Sequence, residues 1–111
     1  MPTTLSSAPA TVIKLQGHIN AANAVEFQRQ LSAAVSESDR HPVLVDMERV
    51  ESLDSAGLMA LVAAFNLAQS LDLRFSLCAM SPSIKMIFEL TQLDRVFEIF
   101  DNRNAFEAVL A

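Results

Sequence analysis

Four consecutive residues, Asp54-Ser55-Ala56-Gly57, bring a carboxylate, a hydroxyl and a glycine together between two leucines. Aspartate and serine are both residue types that cap helices, and the apolar residues that follow recur at helical spacing, so Ser55 is predicted to lie in the first turn of a helix. A first turn has unpaired backbone N–H groups and the positive end of the helix dipole, which together favour an anionic group. The Ser55 hydroxyl is therefore a candidate acceptor for a phosphoryl group.

Gly57 is one of two glycines in the chain, and glycine costs a helix roughly 1 kcal/mol relative to alanine. Its presence indicates that something approaches the backbone closely at this point. A kinase or another partner protein is one interpretation. The other is that Gly57 relieves crowding against a neighbouring strand and that Asp54 is simply a helix cap, and the four residues alone do not choose between them.

The segments on either side predict a strand, a turn and a helix. Val43-Leu44-Val45 is uncharged and too short for a helix, so it is predicted to be a strand covered by helices on both faces and closed by Asp46. A short acidic bridge then leads to Ser55. The inward side of the following helix is predicted to consist of Leu58, Leu61, Val62 and Phe65.

The same helix has more apolar residues than one buried side can use. Met59, Ala63 and Leu67 lie on a different side, near Asn66 and Ser70, and their strip begins within one turn of Ser55. We expect this strip to be a docking surface for a partner protein, because methionine adapts well to a partner. The alternative is that a neighbouring helix covers it.

The remaining segments alternate strand and helix patterns, which predicts an α/β fold with parallel strand pairs and right-handed connections. Asn20 is predicted to cap the first helix, and residues 1 to 9 are predicted to be a frayed arm or a weak edge strand. Because the central helix follows a strand, Ser55 is expected at the carboxyl edge of the sheet. Further strands are predicted at Thr11–Gln16, Leu73–Ala79 and Arg95–Phe100, and helices at Ala24–Val35, after Ser81-Pro82 and after Asp101 or Asn102.

Length and composition restrict the classes of protein. A chain of 111 residues fits one domain, so residues 1–111 are expected to fold as a unit. No apolar run approaches the roughly 20 residues that a membrane-spanning helix needs, and the start of the chain lacks a signal-peptide pattern. We expect a cytoplasmic protein without direct membrane insertion. The net charge of −5 argues against a nucleic-acid partner, because phosphate backbones favour clustered Lys and Arg.

Few side chains suit catalysis or metal binding. Cys78 is the only cysteine and is predicted to be a buried inert thiol, while His18 and His41 have no partner at ligand spacing. The chain has no nucleotide-binding glycine loop, so we expect no metal, no cofactor and no enzymatic activity. An aspartyl-phosphate receiver with Asp46 as acceptor is disfavoured, because Thr11–Gln16 lacks the acidic pair that such a site needs.

Two regions resemble the STAS domain, and specifically the anti-sigma factor antagonists of the SpoIIAA type. The run from Val43 through Leu58 is similar to the family's strand and its Asp-Ser-Ser-Gly-Leu signature, and the run from Leu77 to Asp94 is similar to its fourth strand and third helix. The resemblance implies a single STAS-like domain with a mixed β-sheet of four to five strands and about four α-helices. Ser55 falls on the phosphorylated serine of the family.

What the resemblance implies is partner switching. The unphosphorylated protein would bind an anti-sigma factor that is also a serine kinase, phosphorylation of Ser55 would break the complex, and a PP2C-type phosphatase would restore it. The protein would be a monomer or a weak dimer. Three departures from the family are Ala56, which replaces a second serine, Asn20, which stands where many relatives carry aspartate, and a first strand that is barely recognisable. The predicted partner-binding residues are Asn20, Asp54, Ser55, Ala56, Gly57, Met59 and Ala63.

A different role in the same family is also consistent with the sequence. The chain could be a scaffold subunit of a stressosome-like particle, or the STAS component of a membrane transporter complex such as one for lipid transport. A scaffold would form a large discrete particle in size-exclusion chromatography, and a transporter component would follow the membrane fraction. A switch protein should do neither.

Overall fold

The computed structural model describes residues 10 to 110, so the arm or edge strand predicted at residues 1 to 9 lies outside the described residues. Strands and helices alternate along the described chain. Their order is β1 (Thr11–Ile19), α1 (Ala24–Ser36), β2 (Val43–Leu53), α2 (Ser55–Ser70), β3 (Phe75–Cys78), α3 (Pro82–Leu90), a 3₁₀ turn (Leu93–Arg95), β4 (Glu98–Phe100) and α4 (Arg103–Leu110).

The described strands form one sheet in the order β1-β2-β3-β4, and each neighbouring pair is parallel. Helices cover both faces, because buried residues of α1, α2 and α3 join one core cluster and Phe106 of α4 joins another. Val43, Leu44 and Val45 are fully buried between these layers. The predicted α/β class, the number of strands and helices, and the doubly covered central strand are confirmed, while the described strands are all parallel where the resemblance implied a mixed sheet.

Strand β2 is longer than predicted, since it does not close at Asp46 but continues to Leu53. Only Val43–Asp46 pairs with β3, while the rest of β2 pairs with β1 as a two-stranded extension. The register shifts twice along β1–β2, and each shift places one extra residue in β2. Such bulges interrupt the alternation of buried and exposed residues, so this part of β2 has no period of two in the sequence.

The last strand is shorter than predicted, because β4 begins at Glu98 and not at Arg95. Gln92 takes a left-handed conformation, with φ of 61°, and the chain then forms the 3₁₀ turn Leu93–Arg95. The N–H groups of Val96 and Phe97 both donate to the carbonyl of Leu93. These bonds hold the first half of the predicted strand in a turn.

Helix α2 packs against the sheet mainly through small side chains. Leu58 and Leu61 are buried as predicted, but Val62 and Phe65 are only partly buried. Close packing of α2 depends on Gly57, Ala60, Ala64 and Ala68, which are all buried. On the face of the sheet that α4 covers, Cys78 is buried as predicted. Burial raises the pKa of its thiol to about 11, which disfavours the reactive thiolate.

An ion pair links Arg74, which directly precedes β3, to Glu98 at the start of β4. Arg74 donates two hydrogen bonds to the carboxylate of Glu98, at 2.8 and 2.6 Å, and the buried hydroxyl of Ser76 donates a third, at 2.5 Å. The hydrogen bond from Arg74 is the main reason why the pKa of Glu98 lies below its usual value. The ionised carboxylate therefore stabilises the pairing of β3 with the short strand β4.

This pairing predicts a specific loss of stability in acid. A carboxyl group whose pKa is lowered on folding stabilises the protein above its unfolded pKa, near 4.5, and this contribution is lost as the pH falls through the folded value. Glu98→Gln should therefore lower the free energy of unfolding near neutral pH, and the difference from wild type should shrink below about pH 4.5. Urea unfolding across this range measures it, with Glu89→Gln on the exposed side of α3 as the control. A Glu98→Gln deficit that does not change with pH would contradict this role.

Candidate functional site

Asp54 and Ser55 lie where the predicted turn was expected, between the end of β2 and the start of α2. Asp54 is the N-cap of α2, and its Oδ1 accepts a hydrogen bond from the Gly57 N–H at 3.0 Å. Ser55 is the first helical residue and is exposed. The prediction that Ser55 lies at the surface in the first turn of a helix is confirmed, and of the two candidate caps Asp54 fills the position.

Asp54 also joins two neighbouring turns. Its second oxygen, Oδ2, accepts a hydrogen bond from the Ala21 N–H at 3.2 Å, and its own N–H donates to the Ile19 carbonyl at 3.1 Å. Ala21 belongs to the turn between β1 and α1, which follows the strand paired with β2. The carboxylate therefore fixes the β1–α1 turn beside Ser55.

Asn20 shapes this turn but does not cap α1, so that prediction was wrong. The helix begins at Ala24 with Asn23 at the N-cap position. The Asn20 side chain instead accepts a hydrogen bond from the Ala22 N–H, and the Asn20 N–H donates to the Asn23 side chain, both at 2.9 Å. Either asparagine satisfies the capping pattern in sequence, and the Asn23 side chain makes no capping hydrogen bond, because it bonds the Asn20 N–H and the His18 carbonyl.

Gly57 lies where α2 closely approaches the ends of β1 and β2. A Cβ atom at this position would lie 2.7 Å from Leu53 Cδ1, 2.8 Å from Ile19 Cγ2 and 2.9 Å from the Ile19 carbonyl oxygen. The nearby group is thus the end of β1, which matches the second of the two interpretations of this glycine. Because Gly57 is buried, it positions the turn, and its neighbours provide the outer surface of the site.

The strip along α2 is partly open to solvent. Met59 is 59% exposed, and Ala56, Ala63 and Leu67 are half-buried. Val25 in the first turn of α1 is 81% exposed, and α1 packs against α2, so two exposed apolar side chains stand at the same end of this helix pair. Sequence analysis missed Val25, although a valine outside the buried stripe of α1 was a usable signal.

The extension of β1 and β2 carries a polar cluster near the site. His18 Nδ1 lies 2.7 Å from Ser52 Oγ, and its Nε2 lies 3.9 Å from a Glu51 carboxylate oxygen. Within residues 10–110, no three His, Cys, Asp or Glu side chains are grouped so that they could hold a metal ion. No helix in that range has the length and apolar character needed to cross a membrane.

Comparisons with known proteins agree on one family. The sequence model of the STAS domain matches residues 2–105. BtrV of Bordetella bronchiseptica, which carries the name of an anti-sigma factor antagonist, is 30% identical over 91 residues, which are 82% of this chain and 78% of BtrV.

Solved structures share the fold at lower identity. A Thermotoga maritima protein described as an anti-sigma factor antagonist has a TM-score of 0.83 and 20% identity, covering 91% of this chain and 86% of its own. Unphosphorylated SpoIIAA has a TM-score of 0.73 and 19% identity, with coverage of 90% and 87%. Phosphorylated SpoIIAA of Bacillus has a TM-score of 0.66 and 19% identity, with coverage of 90% of each chain.

The crowding at Gly57 predicts the effect of adding one methyl group. Gly57→Ala should lower the free energy of unfolding by about 1–3 kcal/mol, because the Cβ overlaps a backbone oxygen that cannot move freely. Helix propensity alone predicts the opposite, a gain of about 1 kcal/mol. Chemical denaturation decides between them, with Asn66→Ala on the exposed side of α2 as a control for propensity. A Gly57→Ala variant as stable as wild type would show that the turn is not closely packed.

Proposed function

Because this chain belongs to the STAS domain family, we propose that it is an anti-sigma factor antagonist that works by partner switching at Ser55. The position of Ser55 is the main support for this proposal. The hydroxyl is exposed at the first residue of α2, on a turn that Asp54 ties to both neighbouring elements. A kinase can reach such a hydroxyl without unfolding the chain.

In the unphosphorylated state, the turn and the outer side of α2 form the binding surface. It consists of Asp54, Ser55, Ala56, Met59 and Ala63, with Asn20 and Gly57 holding the turn in place. The partner is an anti-sigma factor with serine kinase activity, whose capture frees a sigma factor. This role places the protein in the cytoplasm and makes it a substrate of the kinase, with no catalytic activity of its own.

Phosphorylation of Ser55 would change the charge of this surface. A phosphoserine carries roughly −1.5 to −2 charge, and it would stand beside the Asp54 carboxylate. The Ser55 and Ala56 N–H groups have no acceptor among the described residues, so they can bond the phosphate, whereas Gly57 N–H already bonds Asp54. The fold should therefore survive, while a docked partner is repelled. A PP2C-type phosphatase would reverse the change.

Partner capture tests this function directly. Wild type, Ser55→Ala and Ser55→Asp are immobilised at equal folded concentration and exposed to lysate of the source cell, and the bound proteins are identified by mass spectrometry. The proposal expects an anti-sigma factor kinase on wild type and Ser55→Ala but not on Ser55→Asp. Recovery of a scaffold particle or a membrane transporter, independent of charge at position 55, would contradict it.

The modification itself gives a second prediction. With the captured kinase and ATP, wild type should accept one phosphoryl group, and Ser55→Ala should accept none. Ser52→Ala is the matched control, because Ser52 is also exposed and lies three residues away, and it should be labelled like wild type. Label on Ser52 or Ser81, or full labelling of Ser55→Ala, would show that the site is assigned wrongly.

Met59 tests the docking surface separately from the fold. Met59→Lys should weaken partner binding by about tenfold or more, while stability changes by no more than about 0.5 kcal/mol. Met86→Lys on α3 is the matched control, since Met86 is 57% exposed, and it should change neither quantity. Leu61→Lys should unfold the domain, because Leu61 is only 1% exposed. Equal partner binding by Met59→Lys and Met86→Lys would show that the exposed side of α2 is not part of the interface.

A further inference from the structure

The surface beside Ser55 continues from α2 onto the start of α1. Val25, in the first turn of α1, is 81% exposed, which is more than any other large hydrophobic side chain in the described part of the chain. A single exposed apolar side chain is common on protein surfaces and by itself indicates no interface. The position of Val25 relative to α2, and the residues around it, therefore have to carry the argument.

Helix geometry directs Val25 toward α2. Ala24 and Val35 lie on the buried side of α1, and Val25 lies about 100° further round the helix than Ala24. Consecutive parallel strands are almost always joined by right-handed connections, which place α2 on this side of α1. By the same geometry, the half-buried Ala56 and Ala63 of α2 lie on the side turned toward α1. Val25 and the strip along α2 thus flank the line where the two helices meet.

One carboxylate fixes the starts of the two helices relative to each other. Asp54 accepts hydrogen bonds from the Gly57 N–H in α2 and from the Ala21 N–H in the β1–α1 turn. The Asn20 carbonyl in the same turn accepts a hydrogen bond from the N–H of Ala24, the first residue of α1. The two helix starts are therefore held together in the free protein, and a preformed surface loses little conformational entropy when a partner binds.

Both segments that meet at this junction lack charged residues. Helix α2 has no Asp, Glu, Lys or Arg in Ser55–Ser70, and Ile19–Val25 has none either, although 19% of the residues of the chain are charged. The exposed apolar residues of these two segments are Ala21, Ala22, Val25 and Met59. The solvent side of a helix is ordinarily charged or polar, and depletion of charge is the compositional mark of the centre of a protein interface. The charge-free surface includes α1 as well as α2.

We propose that Val25 contacts the partner, so that the interface spans the starts of both α1 and α2. This inference rests on the proposed function, and the protein that covers Val25 is therefore the anti-sigma factor kinase. The kinase surface that faces Val25 and Met59 is apolar, because a charged side chain buried there would find no opposite charge. Helix α1 thus contributes binding free energy from outside the element that carries the phosphorylated serine.

Val25→Gln tests the contact, since glutamine replaces the apolar side chain without adding charge near Ser55. Its affinity for the purified kinase, measured by isothermal titration calorimetry at equal folded concentration, should fall about tenfold, as for the loss of one buried valine. Val25→Ile should bind like wild type. Val109→Gln is the matched control, because Val109 lies on α4 and is 51% exposed, and it should also bind like wild type. All three variants should unfold at the wild-type temperature.

Valine methyl signals in the NMR spectrum separate a contact from an indirect effect on the turn. In the free protein, a soluble gadolinium chelate should broaden the methyl signals of both Val25 and Val109, because both side chains are exposed. Addition of the kinase should protect Val25 from the chelate and leave Val109 broadened. A substitution that only shifted the turn would not require this protection in the wild-type complex.

Two results would overturn the inference: unchanged affinity of Val25→Gln, or a Val25 methyl signal that stays broadened in the complex. Either result, together with weakened binding by Met59→Lys, would confine the interface to α2 and leave the proposed function standing. If wild type binds no anti-sigma factor kinase, the proposed function fails and the interface across both helices fails with it.

Discussion

The two hydrogen bonds accepted by the Asp54 carboxylate hold the candidate site together. One oxygen caps the first turn of α2 through Gly57, and the other binds the β1–α1 turn through Ala21. The bond to Gly57 is local to the start of α2, whereas the bond to Ala21 depends on the register of β1 and β2, because the pairing of Ile19 with Leu53 brings the two turns side by side. The register of β1 and β2 thus determines which residues surround the Ser55 hydroxyl.

The close contact between α2 and the strands has a second effect on the surface. Gly57 and the buried alanines allow α2 to pack close to the sheet. The larger side chains of α2 therefore fill the core on one side of the helix only. Met59 is left outside, near the end of α1 that carries Val25. Apolar side chains in this position suit a protein partner, because association removes them from water without any change in the fold.

The sequence predicted correctly those features that depend only on neighbouring residues, such as the starts of helices. Ser81 caps α3 with Pro82 at its first position, as the sequence indicated, and Ser55 begins α2. The extension of β2 to Leu53 was missed, because bulges are set by the partner strand and leave no periodic signal in β2 itself. The prediction that Asn20 caps α1 failed for a related reason, since the side chains of Asn20 and Asn23 both form hydrogen bonds within the β1–α1 turn and its neighbouring strand end. Residues 38–40 and residues 71–73 lie side by side although about 30 residues separate them in sequence, and their proximity follows only from the packing of α1 on α2.

The bond from Ala21 to Asp54 joins residues 33 positions apart in sequence. Closing such a loop costs conformational entropy, so this bond is favoured once the pairing of β1 with β2 has brought the two turns together. A nascent chain contains Ser55, but the folded turn that holds its hydroxyl at the surface has not yet formed. Under the proposed function, phosphorylation of Ser55 would therefore require molecules in which residues 11–54 have folded, and a chain still being synthesised would not be modified before that point.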